Sequence, residues 1–164
     1  MEDALIQNAR AYAAKHQLHL AERLGFGIHG IIFVAEHNVK VGRTAIKAHR
    51  YDEPYARERD TYLRLQRVGV SEILGFHVPQ LIRADDALRV IDMSVVTRPF
   101  VLDFAGAYLD FPPDFSEDKW AEWEAEKQEQ FGKRWPAVQA VLGELEALDI
   151  HMVDVSPSNI GFAD

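Results

Sequence analysis

Three short clusters in this sequence have residue types and spacings suited to holding a phosphorylated ligand. Gly25, Gly27 and Gly30 form a G-x-G-x-x-G run. A loop without side chains lets its backbone N–H groups come close to anionic oxygens. Lys47 closes the run Thr44-Ala45-Ile46-Lys47, where strand alternation puts it on the face of Ala45 and an ammonium can neutralise phosphate charge. Asp154 and Asn159 flank a loop stiffened by Pro157. An acid there can orient or deprotonate a hydroxyl, while the amide oxygen takes a hard cation such as Mg²⁺. Taken singly, each cluster has a plainer reading: a glycine hairpin turn, a solvated lysine, an Asx/Ser turn.

A lysine held beneath a glycine loop needs a counter-ion to keep its charge and direction. Glu58, in Arg57-Glu58-Arg59-Asp60, is the first choice, with Glu53 and Asp60 as competitors.

The elements that must position these groups follow from local pattern. The glycines lead into Ile31-Ile32-Phe33-Val34, a strand-forming run. A dinucleotide-binding fingerprint would open a helix there, so that alternative is excluded. Residues 24–49 alternate β-branched runs with Gly and Asn breaks and predict an antiparallel meander. One helix is expected within residues 2–21. A charged amphipathic helix is expected over 53–68, with Ala56, Tyr62, Leu63 and Leu65 as its apolar contacts. Two further strands fall within 77–84 and 87–96, the first an edge strand or extended arm because of Pro79. Residues 103–118 read as loop, with a stop at Pro112-Pro113. Ser116 starts one helix and Trp135–Leu148 forms another, with Val138, Val141, Leu142 and Leu145 on one face. The expectation is an α+β fold, mostly β in its first half and helical in its second.

Composition bounds the function. A chain of 164 residues with 48% hydrophobic content supports one domain with one core. The absence of cysteine excludes disulfides, thiolate catalysis and Cys-ligated zinc. No apolar run is long enough to span a bilayer, and the N-terminal residues lack the apolar core of a signal peptide, so a cytoplasmic location is expected. The net charge of −8 argues against general nucleic-acid or membrane-surface binding. The acidity is concentrated in residues 110–129, where eight carboxylates face two lysines, a local charge of −6. Trp120, Trp123 and Trp135 are expected to be core, with partner contacts as the alternative.

Glycine loop, strand lysine, helix glutamate, strand pair, apolar helix and then D-x-x-x-x-N is an order that resembles the protein-kinase-like superfamily. More narrowly, Asp103-Phe104-Ala105-Gly106-Ala107-Tyr108-Leu109-Asp110 and the segment 154–164 look like the small kinase domain of polyvalent proteins from phages and conjugative elements. The resemblance implies a single minimal domain over 1–164, with an antiparallel sheet lobe to about residue 97, a hinge at 93–99 and a reduced helical lobe over 100–164. It implies ATP and Mg²⁺ as ligands and an unidentified protein or small-molecule acceptor. Gly25, Gly27, Gly30 and Lys47 match the phosphate-binding elements, Glu58 the lysine's partner and Asp154 the catalytic base. Asn159 matches a metal ligand, Met93 and Val95 the adenine contacts, and Asp103 is expected at the ribose. Three departures matter, one of them that the family's helical platform for docking a peptide is missing and the acidic stretch 110–129 replaces part of that lobe. Met152-Val153 replaces the usual His-Arg before the catalytic Asp. The family's metal-binding Asp-Phe-Gly follows a β-hairpin, and none occurs after Asn159. Either the second metal carboxylate is missing or Asp164 supplies it, since five residues, at most about 17 Å of chain, allow it to fold back. An active phosphotransferase, a pseudokinase-like binding module and a small-molecule kinase are all compatible with these residues.

Overall fold

A computed structural model describes residues 2–164. Helix α1 (Glu2–Lys15) buries Leu5, Ala9, Tyr12 and Ala13 along one face. It ends well short of residue 21, as expected. Gln17 takes a left-handed φ of 58°, and Leu18 begins β1 (Leu18–Phe26) instead of continuing the helix. Its partner ladder explains the change, because Leu18, His19 and Leu20 pair with His37, Glu36 and Ala35 of β2 (Gly30–His37). Strand β3 (Arg43–His49) is buried at all but its first residue. Helix α2 (Asp52–Arg67) follows, then the short strands β4 (Glu72–Ile73) and β5 (Phe76–His77). Next come β6 (Leu81–Asp85) and β7 (Val90–Ser94). The main sheet is antiparallel throughout, in the order β1-β2-β3-β7-β6, so the strand following Pro79 does lie at an edge.

The second half is less helical than its sequence suggests. It contains β8 (Phe100–Val101) and β9 (Ala107–Leu109), the latter inside the segment expected to be loop. Helix α3 (Glu117–Phe131) starts where expected, with the Ser116 hydroxyl accepting from the Lys119 N–H at 3.1 Å. Glu117 and Asp118 sit in its first turn, where the helix dipole favours anions. A 3₁₀ turn at Gly132–Arg134 leads into α4 (Trp135–Glu146). Strands β10 (Ile150–Met152) and β11 (Ile160–Gly161) complete the chain. These short strands join distant segments: β10 pairs with β9 and β11 with β8, both antiparallel.

The two faces of the sheet are covered differently. Helix α1 packs with Ile31, Ala35, Ile46, Ala48 and Val90 on one face, and the Tyr12 hydroxyl donates to Asp92 at 2.8 Å. The other face, carrying Ala45, Ile91 and Met93, meets Tyr55, Tyr62 and Leu65 of α2. That core runs on through Val101 and Phe104 to Val138, Val141, Leu142 and Leu145 of α4. One apolar cluster therefore ties the sheet to the second half, with each fully buried Val, Leu or Phe contributing about 1.5–3 kcal/mol. Leu63, expected among the α2 contacts, is 40% exposed. The buried stripe is Tyr55, Glu58, Tyr62 and Leu65, which places a carboxylate inside an apolar row. No helix among the described residues is long and apolar enough to cross a membrane.

Candidate functional site

Alternation along β3 does the first part of the positioning. Ile46 and Ala48 point to the α1 side, so Ala45, Lys47 and His49 face α2. Lys47 is 4% exposed and Glu58 wholly buried. The Lys47 ammonium donates to Glu58 at 2.8 Å and to Asp103 at 2.9 Å. Glu58 holds more than the lysine. Its Oε1 also lies 2.7 Å from His49 Nε2, and its Oε2 accepts the Phe104 backbone N–H at 2.7 Å. Helix α2 thus clamps β3 and the 103–104 backbone through one carboxylate.

The electrostatics follow from this geometry. Burial alone would drive Lys47 toward neutrality, but Glu58 and Asp103 more than offset it and raise its pKa. Burial likewise pushes the Glu58 carboxyl up, yet Lys47 and His49 outweigh it and hold the group at about 2. Both partners are therefore charged at neutral pH. His49 is fully buried, with Nε2 on Glu58 and Nδ1 3.2 Å from the Arg89 carbonyl.

Asp103, expected at a ribose, contacts Lys47. It has a left-handed φ of 70°, a conformation Asp tolerates better than most residues and that costs about 1–3 kcal/mol. The Lys47 contact and the Phe104–Glu58 hydrogen bond hold it there. The structure thus adds to the site an Asp-Phe step, Asp103-Phe104, that lies two residues beyond β8.

The loop after β10 brings in the remaining groups. The Asn159 side chain fastens both ends of its own loop: Nδ2 donates to the Asp154 carbonyl at 2.7 Å, and Oδ1 accepts from the Ser156 N–H at 2.8 Å. The Asp154 carboxylate is half exposed and faces the glycine loop, 3.7 Å from His29 Nε2. A Cβ on Gly106 would lie 2.9 Å from the Asp154 Cβ, so that glycine makes room for the acid. Asp164 is exposed, and it lines neither of the cavities described next.

Two adjoining cavities share Ile32, Lys47, Leu102, Asp103 and Ser158. One, of about 460 Å³, is a mainly apolar slot. Leu24, Val34 and Ala45 line it from the sheet, Met93 and Val95 stand at its edge, and Phe100 and Leu102 lie below. The other, of about 380 Å³, lies under Gly25–Gly30 and reaches Asp154 and Asn159. The three loop glycines differ in what requires them. A Cβ on Gly30 would lie 2.1 Å from the Ala48 carbonyl oxygen, so packing alone demands glycine there. Gly25 and Gly27 have open space around them and no left-handed φ. Nothing in the fold itself requires their lack of a side chain.

Sequence reasoning passed over two of these groups, His49 and His29, and named the third, Asp103, only for a ribose contact. His49 shares the face of Lys47 two residues on, so alternation would have found it. Asp103 lies in an Asp-Phe pair after an apolar run, a signal masked by its place ahead of Asp154. His29 had no signal beyond lying inside the glycine loop. No protein-family model matches this chain, and no curated protein matches it significantly.

Proposed function

We propose that this chain is an ATP- and Mg²⁺-dependent phosphotransferase of protein-kinase-like architecture. The observation that carries the reading is the convergence of Gly25–Gly30, Lys47, Asp103, Asp154 and Asn159, from separate segments, around one cavity beside an apolar slot. The slot's apolar lining, from the sheet on one side and Leu102 on the other, suits a purine, and the chain leaves the ladder after Ser94 beside it. Open space at Gly25 and Gly27 is what a loop laid over phosphates needs.

The order of parts supports the same reading once it is traced through space. The family's metal-binding Asp follows an antiparallel strand pair that begins just after the Asn. Here β11 follows Asn159, pairs with β8, and β8 leads to Asp103. The segment bearing Asp103 has moved ahead of α3 and α4 in the chain while keeping its place in the site. Asp103, not Asp164, then supplies the carboxylate. The donor set fits Mg²⁺, which is usually held by one or two carboxylates together with substrate phosphates and water. Asp103 keeps one oxygen beyond its lysine contact, and the Asn159 Oδ1 has a second lone pair. The ion supplies charge neutralisation on the phosphates.

In this reading Lys47 holds the phosphates, oriented by Glu58. Asp154 accepts the proton of the acceptor hydroxyl as its oxygen bonds to the terminal phosphorus. The bond from that phosphorus to the bridging oxygen breaks, and the nucleoside diphosphate leaves. Thermal-shift titration with ATP, with and without Mg²⁺, is the test. Saturation at a hundred times Kd stabilises by about 2.7 kcal/mol, several degrees for a chain this size. No shift would sink the reading. A shift together with transfer from radiolabelled ATP that survives Asp154→Ala would remove Asp154 from its role.

A further inference from the structure

A third cavity, of about 450 Å³, lies on the second half of the chain, between α3, α4 and residues 151–153. We propose that it binds the lysine or arginine side chain of a polypeptide acceptor. The proposal deepens the phosphotransferase reading by naming its substrate class.

Three indoles, Trp120, Trp123 and Trp135, line the space. Successive rings stand 5.8 and 5.9 Å apart at 86° and 69°, so they wall it from different directions. Indole is the best aromatic partner for a cation. Glu124 and Glu146 also line the cavity, and no Lys or Arg does. The neighbouring lysines are engaged elsewhere: Lys119 lies 3.9 Å over the Phe115 ring and Lys127 contacts Gln130 at 3.5 Å. His151 Nε2 is buried there without a hydrogen-bond partner. The −6 charge of residues 110–129 draws the same kind of ligand toward this face.

Two further features tie the cavity to function. Gly143 lines it from the middle of α4, where glycine is a poor helix former. A Cβ there would meet nothing within 4 Å, so no packing constraint explains the glycine, and its effect is to keep the cavity open. In addition, Trp123 Nε1 donates to the Val153 carbonyl at 2.9 Å. Val153 precedes Asp154, so a cation bound here anchors a polypeptide within a few residues of the acid.

The test uses the whole chain and indole fluorescence. The probes are a serine hexapeptide carrying two arginines and its twin with glutamines in their place. The arginine peptide is expected to bind about tenfold tighter or more, with the preference shrinking as salt rises. Gly143→Leu fills the cavity and improves the helix. It should erase the preference, as should Glu124→Gln with Glu146→Gln, and each variant should keep at least the parent's urea midpoint and retain its ATP-dependent thermal shift. Equal binding of the two peptides, or a preference that survives Gly143→Leu, overturns the proposal. So does concentration-dependent dimerisation lost in Gly143→Leu, which would assign the cavity to a second copy. Failure of the nucleotide reading would appear separately, as an absent ATP shift in the unaltered chain.

Discussion

Replacing Lys47 by Met tests the Lys47–Glu58–Asp103 network directly. The substitution nearly conserves volume and removes one buried positive charge. Loss of one partner from a buried ion pair costs about 3–5 kcal/mol when the other charge is stranded. Here neither carboxylate is stranded. Glu58 keeps His49 Nε2 at 2.7 Å and the Phe104 N–H at 2.7 Å, and the Asp103 side chain is 30% exposed and can hydrate. Lys47→Met should therefore cost only about 1–2 kcal/mol, lowering Tm by roughly 2–8 °C. Glu58→Ala is the contrasting case. It leaves the buried Lys47 with the partly exposed Asp103 alone, removes the His49 Nε2 partner and leaves the Phe104 N–H unsatisfied, so about 4 kcal/mol or more is expected. Urea denaturation of both variants at neutral pH is the assay. If Lys47→Met proves as damaging as Glu58→Ala, the argument that His49 and Phe104 compensate is wrong.

The same network sets an acid limit. Glu58 is held at about 2, below its ordinary 4.5, so its contribution is present above the unfolded value and is lost as pH falls from near 4.5 toward 2. Lys47→Met should shift that loss to higher pH, as read by denaturant midpoints across the acid range. The glycines offer a second separation. Gly30→Ala forces a Cβ against the Ala48 carbonyl and should lower stability measurably, whereas Gly25→Ala and Gly27→Ala should leave stability within about 0.5 kcal/mol. Those two should weaken ATP binding, seen as a smaller thermal shift. Finally, Asp103→Asn should abolish the Mg²⁺-dependent part of the ATP shift and Asp164→Asn should leave it intact. The opposite result would return the metal carboxylate to Asp164.

Much of this molecule was legible in local pattern. The strand after the glycines, the helix over Asp52–Arg67 and the Ser116 cap are all set by neighbouring residues, and each formed within a residue or two of expectation. The proximity of Lys47 and Glu58 was also readable, because alternation on a strand and a stripe on a helix are short-range rules. Strands β8 to β11 were not. Two or three residues carry no periodicity, and each strand exists only because a partner about 40 to 60 residues away completes its hydrogen bonds. The role of Asp103 was hidden for the same reason. Its place before Asp154 hid any tie to the lysine, and the resemblance suggested only a ribose contact, whereas the pairing of β8 with β11 carries it to Lys47. The sequence by itself determined which groups are available to the cleft. Tertiary structure alone decided which carboxylate meets the lysine, because long-range strand pairing does not follow the order of the chain.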